Sequence, residues 1–177
     1  MRKLAMDELN RVDIDSFKAQ KKIPITVILD NVRSLHNVGS TFRTADGFAI
    51  EKIILCGITG TPPHREIEKT ALGATQSVDW EYHPTIETVI EQLKKDNYRL
   101  LAIEQATGST ALHQLSLDSK EKYALVFGNE VHGVSDEFMQ AADGCIEIPQ
   151  FGTKHSLNVS VTIGIVLWQC VQELSLS

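Results

Sequence analysis

The chain is short of several features that would place it in a functional class at once. Its three cysteines, Cys56, Cys145 and Cys170, lie far apart in mostly apolar stretches. That is too few and too scattered for a disulfide framework, so they read as buried thiols in a reducing compartment. The six histidines show no pair at metal-ligand spacing, so no metal is expected. Positive charge is scarce. A net charge of −6 and a pI near 5.5 exclude a protein that holds nucleic acid through a global basic field. The apolar run 159–171 is interrupted by Ser160, Thr162 and Gln169, and it falls short of the roughly 18 residues a spanning helix needs, so no membrane partner is expected. Met1 to Glu8 lacks an apolar signal core and carries acids early, which points to a cytoplasmic protein. The nucleotide motifs are missing too. Leu29 leads into Asp30-Asn31-Val32-Arg33 with no glycine before Gly39, and neither G-x-G-x-x-G nor G-x-x-x-x-G-K-[ST] occurs. Gly133-Val134-Ser135-Asp136-Glu137 comes nearest to a nucleophile elbow and lacks its last glycine.

What is present is an alternating α/β pattern. With 177 residues, 42% of them hydrophobic, the chain can bury one substantial core, whereas two domains would be cramped. Strand-like apolar runs occur at 25–29, 52–56, 77–82, 98–103, 123–127 and 145–148, with helix-like segments between them. That order predicts βαβ units and a mainly parallel sheet flanked by helices. Helices are expected over 38–48, 64–72, 85–96 and 135–142, the last capped by Ser135. In 85–96, Ile86, Val89, Ile90 and Leu93 fall on one face. Residues 1–22 read as a helical arm separate from the domain 23–177, with Leu9, Val12 and Phe17 as a narrow apolar stripe. Six basic side chains against four acidic leave the arm at +2 and the remainder at −8. Packing on the domain and contact with RNA are equally open for it.

Three segments stand at the carboxyl ends of expected strands, where open α/β sheets build their ligand sites. Asp30 to Arg43 follows the first run, Val126 to Ser135 follows the fifth, and Lys154-His155-Ser156-Leu157-Asn158-Val159-Ser160 follows Cys145 to Pro149 and opens a long apolar helix. Taken alone, the last is no more than an N-cap sequence, since Ser and Asn are preferred there. Together and in this order the three resemble the motifs of the SpoU or TrmH family of the SPOUT superfamily, over about residues 24 to 173. These are knotted RNA ribose 2′-O-methyltransferases that use S-adenosylmethionine.

The resemblance implies a deep C-terminal trefoil knot, which general topology rules argue against. It also implies S-adenosylmethionine as cofactor, a homodimer, and RNA as substrate, with tRNA expected first and rRNA second. A non-catalytic RNA-binding protein with the same knotted fold is the alternative, and an enzyme acting on small nucleotides is a third reading. On the matching positions, Ile103, Gly128, Ile148 and Leu157 are the expected donor-binding residues. Arg43 matches the arginine described as catalytic. A guanidinium keeps its proton at a pKa above about 12, so orienting a phosphate and stabilising the alkoxide is the role expected of it. Asn37 is expected to cap its helix and to tie the first motif to the third. The six-residue spacing is read as placing it on roughly the same side as Arg43. Glu130 is expected to pair with Arg43 or to brace its loop, and Ser156 and Asn158 to position the ribose or the arginine. Arg33, Arg43 and Lys154 are the expected RNA contacts, with His36 and His155 flanking them. The final helix is apolar almost all round and should need cover from a second copy, with Val166 and Leu167 in that interface.

Overall fold

The computed structural model describes residues 1–9 and 12–176. Seven strands, β1 (Ile23–Asp30), β2 (Ile50–Cys56), β3 (Asp79–His83), β4 (Tyr98–Ile103), β5 (Thr110–Ala111), β6 (Lys122–Phe127) and β7 (Gly144–Glu147), form one sheet in the order β3-β2-β1-β6-β4-β7-β5. Every pairing is parallel. The central strands are apolar on both faces, as a sheet covered on both sides requires. Val27, Leu29, Tyr123, Leu125 and Phe127 point to one core, and Ile28, Ala124 and Val126 to the other. Helices α2 (Leu35–Gly47), α3 (Arg65–Ala71), α4 (Ala74–Ser77) and α7 (Val159–Val171) cover the first face. On the second lie α5 (Ile86–Lys95) and α6 (Asp136–Ala141).

Several expectations shift. The second helix begins at Leu35, earlier than expected, and its cap is Ser34, whose hydroxyl accepts from the Asn37 N–H at 3.3 Å. Asn37 therefore does not cap it. Ser135 stands at the N-cap of α6 without a capping bond, because its N–H and hydroxyl both go to Asp30. The expected third strand starts two residues late, since Ser77 closes α4 and its hydroxyl donates to Asp46. Among the described residues of the terminal arm, Met6–Leu9 is a single 3-10 turn and the one α-helix is the short α1 (Ile14–Ala19). Phe17 alone of the stripe is buried, while Leu9 and Val12 are exposed. Arg11, counted in the arm's charge, lies outside the described residues.

The final helix spans the expected residues but needs less cover than its composition suggests. Val166 and Leu167 are fully buried in their own chain, against α2 and the sheet, so they cannot form an interface. The exposed apolar side chains are Val161, Ile165 and Trp168, spaced four and three residues apart along one stripe. Among the described residues no helix is long and apolar enough to cross a membrane.

Candidate active site

The parallel register brings four strand ends level. Leu29 pairs with Phe127, Phe127 with Ile103, and Ile103 with Ile146, so the segments after β1, β6, β4 and β7 leave the sheet side by side. Between the segments after β6, β4 and β7 lies a cleft of about 590 Å³, a size suited to a small organic ligand. Ile103, Gly128, Ile148 and Leu157 all line it, and so do Glu130, Ser156 and Asn158.

The loop after β6 is closed by reciprocal backbone bonds between Asn129 and Gly133, both 2.9 Å. Gly133 sits at φ +70°, which favours glycine. Gly128 is required for a different reason. A Cβ there would lie 2.0 to 2.3 Å from backbone atoms of Gly133 and Val134, so the loop folds back too tightly for any side chain.

Glu130 braces the first motif. Its carboxylate accepts from the N–H groups of Arg33 (3.1 Å) and Ser34 (3.2 Å) and from Asn37 Nδ2 (3.1 Å). Burial raises its pKa, but those backbone and side-chain donors outweigh burial and hold it below the usual carboxylate value. Asn37 in turn accepts from Asn158 Nδ2 at 3.2 Å. Asn158 caps α7, its Oδ1 accepting from the Ser160 N–H at 2.9 Å and the Ser160 hydroxyl at 2.7 Å. The three motifs are thus joined through Glu130, Asn37 and Asn158.

Three further residues do comparable work, of which only Asp30 falls within a sequence motif. Asp30 is almost wholly buried, and its Oδ2 accepts from both the N–H and hydroxyl of Ser135 at 2.7 Å. Glu104 and Gln105, directly after β4, bond to Val134 and His155 respectively. Only the topology places these groups together.

The cleft is lined by Glu104, Glu130 and Glu147, by the Gly128–Gly133 turn with His132, by neutral polar residues such as Gln105, Gln150 and Asn158, and by apolar residues, with no lysine or arginine. Such a lining favours a ligand that is partly apolar and carries positive charge. S-adenosylmethionine, with its sulfonium, fits those residues.

The sequence profile of the SpoU rRNA Methylase family matches residues 24–168. The chain belongs to that family. A relative from Thermus thermophilus, a tRNA (guanosine(18)-2′-O)-methyltransferase, is 30% identical over 94% of this chain and 84% of its own length. The TrmH/SpoU tRNA modifying enzyme of A. aeolicus superposes with a TM-score of 0.78 at 27% identity, over 90% of this chain and 79% of that one. An rRNA methyltransferase from Sinorhizobium meliloti, solved with AdoMet bound, gives 0.79 at 27% identity over 94% of this chain and 62% of that one.

In this SpoU family domain the cleft does not gather every expected residue. Arg43 is exposed, lines no part of the cleft and makes no hydrogen bond or ion pair among the described residues. The expected pairing with Glu130 is absent. The expectation that Asn37 and Arg43 share a side also fails. Six residues at about 100° each leave them about 120° apart, so Asn37 is buried while Arg43 faces outward beside His36 and Ser40. Arg33 and Lys154 are exposed and line no part of the cleft. His36 is engaged by Glu66 at 2.8 Å. No three His, Cys, Asp or Glu side chains cluster as a metal site among the described residues. Burial pushes the Cys56 and Cys170 thiols up to about 12, which makes them poor nucleophiles.

Proposed function

We propose that this chain transfers a methyl group from S-adenosylmethionine to a ribose 2′-hydroxyl in tRNA, with rRNA as the second candidate, in the cytoplasm. The observation that carries the reading is the convergence of the second and third motif loops and the end of β4 on one cleft, to which the first motif is tied through Asn37 by bonds to Glu130 and Asn158. The names of the relatives supply the reaction class. When bound, S-adenosylmethionine would supply the methyl group, its carbon–sulfur bond breaking as the bond to the 2′-oxygen forms, so that a neutral thioether leaves and the hydroxyl proton passes to solvent.

The chain's own residues hold and align. Gly128, Ile103, Ile148 and Leu157 form the donor pocket. Glu130, Asn37 and Asn158 fix the three loops relative to one another, and Ser156, exposed at the rim, is set to receive the ribose. Arg43, without a partner among the described residues and outside the cleft, is free to grip a substrate phosphate with its planar fork and to offset the negative charge developing on the attacking 2′-oxygen. Arg33 and Lys154 add phosphate contacts that the acidic surface otherwise lacks. A deep C-terminal knot belongs to the same reading, supported by the superposition with the A. aeolicus enzyme. The test has two stages. Calorimetry should register S-adenosylmethionine and its demethylated product without added metal, and bulk tRNA or rRNA should then take up labelled methyl. Binding without transfer would favour the non-catalytic alternative, and no binding by folded protein would remove the reading.

A homodimer completes the proposal. Val161, Ile165 and Trp168 are 39% to 50% exposed on one stripe of α7, an apolar surface that a second copy would cover. Light scattering should give twice the 19.7 kDa chain mass. Changing Ile165 and Trp168 to Glu should return the monomer mass and leave the fold intact, because neither side chain is buried in its own chain. A monomeric wild type would defeat this.

A further inference from the structure

Residues 149–157 carry Ser156 and Leu157 into the cleft, yet they have very little support. From Phe151 to Leu157 every residue is exposed, and the segment has no helix or strand of its own. Among the described residues a single hydrogen bond joins it to the rest of the molecule, from Gln105 Nε2 to the His155 carbonyl at 3.0 Å. Gln105 is well placed to hold it. It directly follows β4, a strand paired on both sides, and the preceding side chain fixes its backbone, Glu104 Oε1 accepting from the Gln105 N–H at 2.8 Å. The other oxygen of Glu104 accepts from the Val134 N–H at 3.1 Å. One dipeptide at the end of β4 therefore ties down both loops that flank the cleft.

We infer that Gln105 is a positioning residue that latches the 149–157 segment over the donor pocket and thereby sets donor affinity. The identity of the donor rests on the methyltransferase reading, whereas the latch does not. Without the bond, the segment must be ordered afresh each time a ligand binds, and the loss appears as weaker binding.

The test uses Gln105→Leu and Gln105→Glu, which lack a donor, and Gln105→Lys, which restores one with similar reach. Two measurements are made on each. The first is the rate of chymotryptic cleavage after Phe151, which lies within the segment and is 96% exposed. Under native conditions that rate follows the population of the opened segment. The second is S-adenosylmethionine affinity by calorimetry. Both donor-less variants should be cut roughly five- to tenfold faster and bind the donor five- to tenfold more weakly, the scale of one hydrogen bond. The lysine variant should approach wild type in both, and all three should melt with the wild type, since residue 105 is exposed. Unchanged cleavage in the Leu and Glu variants would overturn the latch. Faster cleavage with unchanged affinity would overturn its role in donor binding. If wild type fails to bind the donor while cleavage still responds to residue 105, the latch stands and the methyltransferase reading falls.

Discussion

Arg43→Ala is expected to reduce methyl transfer by at least about three orders of magnitude, the scale seen when a group that stabilises developing charge is removed, while S-adenosylmethionine binds as in wild type. The separation follows from position. Arg43 lines no part of the cleft, so the donor pocket should not register its loss. Its side chain has no partner among the described residues, so folding stability should stay within about 0.5 kcal/mol. Arg43→Lys should recover little, because an ammonium is a point charge and cannot reproduce the guanidinium's two parallel donors to phosphate. Single-turnover transfer to RNA, alongside calorimetry of the donor, distinguishes these outcomes. Strong turnover by the lysine variant would refute the bidentate role, and weakened donor binding by the alanine variant would place Arg43 at the pocket after all.

Gly128→Ala should produce the largest loss on the donor side. The added methyl would stand 2.0 to 2.3 Å from backbone atoms of Gly133 and Val134, and backbone cannot rotate away as a flexible side chain can. Relief requires opening the loop, which breaks the Asn129–Gly133 pair and pulls Val134 from Glu104. Overpacking of this kind costs about 1–3 kcal/mol or more, and donor affinity should fall by roughly a hundredfold because the pocket wall itself moves. Gly47→Ala is the control. A Cβ there meets nothing within 4 Å, and the residue is exposed at the end of α2, so the fold should be unharmed. Thermal melts and calorimetry on both variants settle the matter, and a Gly128→Ala protein with native affinity would show that the loop tolerates opening.

Periodicity made most of the sheet legible. Strand 98–103 and helix 159–171 have the expected bounds because their apolar runs are long and cleanly ended. Thr110–Ala111 was invisible, since two residues carry no period. The beginning of the third strand was misplaced because Val78 favours a strand locally while Ser77 finishes a helical turn tied to Asp46.

For the site, Ile103, Gly128, Ile148 and Leu157 are legible only through the motif resemblance, and all four line the cleft. The wiring between them is not legible. Asp30 meets Ser135 across 105 positions and Glu104 meets Val134 across 30, and no local pattern announces such partners. Counting six residues as a return to the same side of a helix misplaced Arg43 for a simpler reason, since 3.6 residues per turn makes seven the nearer repeat.

The Asn37–Asn158 bond spans 121 positions, and the Glu130 bond to Asn37 spans 93. During synthesis the first motif therefore emerges from the ribosome long before its partners exist, and the cleft has no third wall until α7 has been made. Sheet strands β1 to β7 can pair in the meantime, but a donor molecule meeting the growing chain finds no enclosed place to lodge. Competence arrives in one late step, when α7 settles against α2 and the sheet. A chain stalled or clipped ahead of Asn158 would thus be inert and would leave the apolar surface beneath α7 open to quality control.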